Sequence, residues 1–193
     1  TALCYNLMLA SLVGDIGIST FSVLSFIFSL ANAILSGVAQ GLQPLWGHCC
    51  GKGNTRDMGW YFYCGLLINS ILSVLIYGVL FFFDRAVIRI FNSSADLVQA
   101  ASAALPLFSL SFIPMALNLI YTAFLFSTKR TEAANIIAIS RGIVIKALAI
   151  FCIPVVFGSG SIWIAPFAAE IVTLALAVRL CRENGKKDQI FKK

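Results

Sequence analysis

Three ionisable side chains, Arg141, Lys146 and Glu170, fall inside long stretches otherwise built from Leu, Ile, Val, Ala and Phe. An isolated ion in lipid costs ~2.5–3.5 kcal/mol even on insertion scales, so such groups pair, face water or exchange a proton or cation. Arg141 lies ten residues beyond Thr131, which at ~1.5 Å per residue is ~15 Å into the bilayer. Glu170 enters from the opposite side on the following apolar run and reaches a similar depth. The spacing predicts an Arg141–Glu170 ion pair between antiparallel neighbouring helices, with Lys146 as a competing partner. Proton or cation exchange at Glu170 during transport is the functional alternative.

A second set of polar groups is uncharged. Ser22, Ser25, Ser29, Asn32, Ser36, Gln40, Gln43 and Gly47 recur at spacings of three and four residues. At ~100° per residue they form one stripe roughly 80° wide along a helix. Ser111, Pro114, Asn118, Tyr121 and Thr122 share a face of a later helix in the same way. Small hydroxyl residues suit a packing seam between helices, whereas buried carboxamides need several partners. Asn32, Gln40, Gln43 and Asn118, with Tyr121, are therefore candidates for lining a hydrated cavity.

The elements that must carry these residues follow from composition. The chain of 193 residues is 60 % hydrophobic and 11 % charged, where soluble domains hold about a quarter charged residues. It reads as an all-α membrane protein. Apolar runs at Ile16–Gly47, Met58–Phe83, Leu97–Thr128, Ala133–Phe157 and Ile162–Val178 each supply the ~20 residues that cross ~30 Å of hydrocarbon. Thr1–Gly14 reads as the tail of a truncated helix, giving five complete transmembrane helices plus one partial one in a single membrane domain, residues 1–193. Pro44, Pro106 and Pro114 lie within these runs and are expected to kink them, and Asp84–Asn92 reads as an amphipathic link.

The basic residues set the orientation. Lys52, Arg56, Lys129, Arg130, Arg179, Arg182, Lys186, Lys187, Lys192 and Lys193 all fall on one side of five crossings, against Arg85 and Arg89 on the other. That asymmetry predicts a multi-pass protein of the cell membrane with a cytoplasmic C-terminus and a basic cytoplasmic tail at 182–193. The net charge of +6 then reflects topology and contact with anionic lipid, with no nucleic-acid partner implied, because no basic stretch is interleaved with exposed aromatics.

Enzyme signatures are lacking. The sequence has one His, no phosphate-binding Gly-rich loop, no HExxH and no GxSxG, and its six cysteines show no metal-ligand spacing. Neither catalysis nor a cofactor is expected. His48-Cys49-Cys50 reads as helix-end packing.

The run Gly37-Val38-Ala39-Gln40-Gly41-Leu42-Gln43-Pro44-Leu45-Trp46-Gly47, followed by Gly51-Lys52-Gly53-Asn54, resembles the multidrug and toxic compound extrusion (MATE) family, whose members carry G-x-x-Q-G-x-Q-P-x-x-G at the end of a helix. Phe126-Ser127-Thr128-Lys129-Arg130 leading to Ile139-Ser140-Arg141-Gly142-Ile143 is similar to that family's basic loop and the arginine of its eleventh helix. Gly160-Ser161-Ile162-Trp163-Ile164-Ala165-Pro166 with Glu170 is similar to the segment opening its last helix. The resemblance implies the C-terminal half, from within helix seven to helix twelve, of a twelve-helix exporter. Its two lobes would enclose a cavity and exchange small organic, often cationic, substrates for Na⁺ or H⁺. The implied partner is the N-terminal lobe, or a second copy of this chain in the same orientation, since the lobes are parallel repeats. Some members place acids on helices seven and ten, where this chain has Asn6 and Asn118, a departure that moves cation coupling away from this lobe. Lipid-linked or polysaccharide exporters of the same superfamily, and a non-transporting membrane scaffold, are the other readings.

Overall fold

A computed structural model describes residues 15–91 and 94–187 of the chain. Asn6, the rest of 1–14 and 188–193 lie outside the described residues. Along the chain run α1 (Asp15–Gly51), α2 (Thr55–Phe82), α3 (Asp84–Phe91), α4 (Ala95–Ser109), α5 (Phe112–Ser127), α6 (Thr131–Ile139), a π turn (Ser140–Val144), α7 (Ile145–Phe157), a 3₁₀ segment (Ser159–Ile164) and α8 (Ala165–Lys187). Four of the described elements are long and apolar enough to cross a membrane, namely α1, α2, the α6–π–α7 rod and α8; α4 and α5, bent by 42°, make a fifth. These are the five spans that the apolar runs predict.

Local chemistry explains where the helices stop. Between α1 and α2 the chain reverses at Gly53, whose φ of 68° suits a residue without Cβ. Asn54 then caps α2, its side chain accepting from Asp57 N at 3.2 Å and donating to Asp57 Oδ2 at 2.7 Å. At the end of α5 Lys129 adopts φ 60°, and Arg130 N donates to Leu125 O at 3.0 Å, which closes a Schellman turn on a non-glycine residue.

Only one of the three prolines expected to kink the chain follows a break between helices. α1 runs on through Pro44 and α4 runs on through Pro106 without ending. The break falls at Leu110–Ser111, one turn ahead of Pro114, because Pro114 has no N–H for the carbonyl of Leu110. Ser111 Oγ donates to Phe108 O at 2.7 Å, and Phe28 of α1 packs against both Phe108 and Phe112, with ring centroids 6.2 and 6.0 Å away. The bend is thus filled by an aromatic ring. The first residues of the segment read as a basic tail are helical, since α8 continues to Lys187; an Arg179–Glu183 pair one turn apart, at 2.9 Å, supports it.

Helix α5 is the centre of the bundle. Phe112, Met115, Ile120, Phe124 and Leu125 on α5 are buried, together with Leu24, Leu35 and Trp46 of α1. Phe26, Leu30 and Ile34 of α1, Leu67, Ile71 and Leu75 of α2, and Ile143, Leu148 and Val155 of the α6–π–α7 rod stay exposed, as lipid-facing positions must. Helices α1, α2 and α5 meet at Gly65, where an added Cβ would come 2.6 Å from Leu42 Cδ1 and 3.5 Å from both Trp46 Cζ2 and Ile120 Cδ1. Leu42 can swing aside, so Gly65→Ala is expected to alter stability by no more than about 1 kcal/mol. Gly65→Leu must also displace Trp46 and Ile120, with an expected loss of ~1–3 kcal/mol or more. Thermal melting of the two variants in one detergent checks the contrast.

Candidate functional site

On α1 the predicted stripe is present and faces away from its own bundle. Ser22, Ser29, Gln40 and Gly47 are exposed and Ser25, Asn32, Ser36 and Gln43 half-buried, while the opposite side buries Leu24, Ile27, Ala31 and Leu35. Ser22 and Ser29 satisfy their hydroxyls on the carbonyls one turn back, Ile18 O at 3.0 Å and Ser25 O at 2.9 Å. Asn32, Gln40 and Gln43 extend their carboxamides on this open side. Within the described residues the stripe is therefore no seam.

The second stripe faces inward. Ser111, Pro114 and Asn118 are buried and Tyr121 and Thr122 half-buried, because this face of α5 is packed against neighbouring helices. Asn118 does not line an open cavity in this lobe: it is fully buried and uses both amide hydrogens on Glu170, donating to Oε2 at 2.8 Å and to the main-chain O at 2.9 Å. Tyr121 sets its ring edge-on to Phe62, 5.2 Å between centroids. In this lobe, then, Asn118 is enclosed between α5 and α8, while Tyr121 keeps a half-buried side chain.

Asn118 belongs instead to the charged cluster. Glu170 on α8 is 1 % exposed and its carboxylate is engaged from three sides: Arg141 Nε lies 3.1 Å from both oxygens, Lys146 Nζ 3.2 Å from Oε1, and Asn118 Nδ2 on Oε2. The expected Arg141–Glu170 pair is present, but Lys146 shares the carboxylate and does not compete for it. A regular helix would not allow this. Residues five apart on an α-helix point ~140° away from one another, whereas a π turn bonds residue i to i+5 and stacks them on one side. Ile145 N–H donates to Ser140 O in that pattern, and so the rod delivers both Arg141 and Lys146 to Glu170.

Sequence reasoning missed the π turn, for which composition holds no signal except the awkward five-residue spacing itself. It also missed Asn69, a buried carboxamide in the second apolar run, which donates to Ala116 O at 2.8 Å and ties α2 to α5. Finally, Lys146 Nζ stands 5.2 Å from the centroid of the Phe28 ring, a cation–π distance. Phe28 lies in one helical row with Ser25 and Asn32, three residues before and four after it. The cluster and the stripe therefore adjoin through Phe28, which also fills the α4–α5 bend.

A family model described as MatE matches residues 2–152 of the chain. Among solved structures the chain is similar to an outward-facing multidrug resistance MATE family transporter of the MOP superfamily, at 16 % identity and TM-score 0.90, over 97 % of this chain and 42 % of that one. It is similar to an inward-facing structure described in the same terms, at 15 % identity and TM-score 0.87, over 98 % of this chain and 44 % of that one. A third is a MOP superfamily transporter from Pyrococcus furiosus, with a binding pocket of reverse polarity that suggests a different function, at 15 % identity and TM-score 0.83, over 99 % of this chain and 43 % of that one. Likeness at these identities shows the fold, and the chain spans less than half the length of each of these transporters. No curated protein matches it.

Proposed function

Because the chain belongs to the MatE family, a family of membrane transporters and not of enzymes, we propose that it forms one wall of an alternating-access exporter coupled to Na⁺ or H⁺. The observation that carries this reading is the open stripe of α1, with Asn32, Gln40 and Gln43 turned away from the bundle that buries the other side of the same helix. Polar carboxamides facing outward from an apolar helix call for water or protein opposite them, and not lipid. A second lobe would supply that opposite wall, either the N-terminal half or another copy of this chain. The lobe's likeness to both an outward-facing and an inward-facing transporter supports rigid-body rocking of lobes about a central site. In this reading the protein sits in the cell membrane with its basic side cytoplasmic, and small organic, often cationic, compounds are its cargo.

A second reading, an exporter of lipid-linked or polysaccharide precursors, draws support from the formal charge of the buried cluster, two cations against one carboxylate.

Reconstitution of the full-length transporter tests the primary reading. Proteoliposomes preloaded with ethidium are expected to exchange it against an imposed Na⁺ or proton gradient, and Asn32→Leu with Gln40→Leu is expected to slow that exchange without lowering the melting temperature. Flux that ignores both gradients and both substitutions would assign the stripe to a scaffold.

A further inference from the structure

Donors and acceptors in the charged cluster do not balance. Each oxygen of Glu170 receives two hydrogen bonds, Oε1 from Arg141 Nε and Lys146 Nζ, Oε2 from Arg141 Nε and Asn118 Nδ2. A carboxylate offers about four acceptor sites, so this one is saturated. Arg141 spends only its Nε on it, and its two Nη groups, with four N–H bonds in the guanidinium inventory, have no other partner among the described residues. Lys146 spends one of its three N–H donors. Both side chains remain part-open, at 16 % and 17 % exposure against 1 % for Glu170, and Lys146 leans over Phe28, in the row of Ser25 and Asn32. The part of the cluster that is open carries cations and donors only.

We propose that the Arg141 Nη groups and Lys146 Nζ form a subsite for an anionic group, a phosphate or carboxylate, at the edge of the α1 stripe. This deepens the second reading above, an exporter of lipid-linked or polysaccharide precursors, and rests on it for its biological use: the cargo bears a negative charge where it meets this lobe. A planar guanidinium fork and an ammonium held by one carboxylate, both part-open, are suited to a tetrahedral or planar oxyanion. Glu170 repels such a group, but its charge is already offset by two cations, which leaves the cluster formally at +1. An organic cation would meet neither an acceptor nor a favourable field there.

The test is direct binding, which is independent of any transport assay, so its failure leaves the exporter reading standing and its success does not presuppose coupling. Purified full-length protein is titrated calorimetrically with n-octyl phosphate and with n-octyltrimethylammonium, both below their aggregation limits, and with inorganic phosphate. Octyl phosphate is expected to bind at least about tenfold tighter than the ammonium, the value of one charged hydrogen bond, and to weaken with added salt. Lys146→Met is expected to remove most of that preference. Arg141→Lys, which keeps the pairing charge but loses the Nη fork, is expected to reduce it. Inorganic phosphate competing at similar strength identifies a soluble anion as occupant, whereas octyl phosphate binding alone identifies an amphiphile. Equal or tighter binding of the ammonium in the wild-type protein overturns the subsite, as does an anion preference untouched by both substitutions. Should Lys146→Met not fold, the wild-type contrast and Arg141→Lys decide the question.

Discussion

Replacing Glu170 by Gln is expected to destabilise this lobe more than any other single substitution of a polar side chain. The change is nearly isosteric, and Asn118 keeps an oxygen to donate to, so packing survives. Charge does not. Arg141 and Lys146, both more than four-fifths buried, would be left facing each other with a formal charge of +2 and no anion. Removing one partner from a buried ion pair costs ~3–5 kcal/mol, and the loss here is shared by three helical elements, α5, the α6–π–α7 rod and α8. The measurement is the melting temperature and yield of full-length protein in detergent. A charge exchange sharpens it. Arg141→Glu and Glu170→Arg alone should each fail, while the two together restore opposite signs across the same gap and should recover much of the yield. No recovery would mean that the geometry of the fork around Glu170, and not the sign of the charges, holds the helices together.

The second large effect concerns water. In full-length protein freed of its native thiols, single cysteines at positions 32 and 40 are expected to react with a charged maleimide at least about tenfold faster than one at position 118, because reaction needs an accessible thiolate. Asn32 and Gln40 lie on the open stripe, whereas Asn118 is sealed between α5 and α8. Protection of 32 and 40 in every state would turn the stripe into a seam against the other lobe. Fast labelling at 118 would show that α5 and α8 separate during the cycle.

Much of this arrangement was legible in the residues themselves. Long apolar runs poor in charge located the spans because lipid excludes isolated ions, and the three- and four-residue periodicity of α1 located its polar face. The Arg141–Glu170 pair followed from depth alone. What stayed hidden depended on neighbours. A polar stripe on α5 has the same periodicity as the one on α1, and only the number of helices packed around α5 turns it inward. Pro44, Pro106 and Pro114 carry the same local message, yet of the three only Pro114 follows a break between helices, where Phe28 arrives from another helix to fill the gap. The joint grip of Arg141 and Lys146 on Glu170 contradicts ideal α-helical spacing, so reading it required knowing that the backbone widens between them.

That widening has an effect well beyond the cluster. A π turn is one residue too many for the helix it interrupts, and everything after it is rotated by ~100° relative to an uninterrupted rod. Leu148, Phe151 and Val155, exposed on α7, owe their outward azimuth to that offset. The turn thus acts as a phase shifter for half a membrane span: it decides which residues are greasy skin and which are interior, and a chain lacking one residue between Ser140 and Val144 would present a different set of side chains to the bilayer.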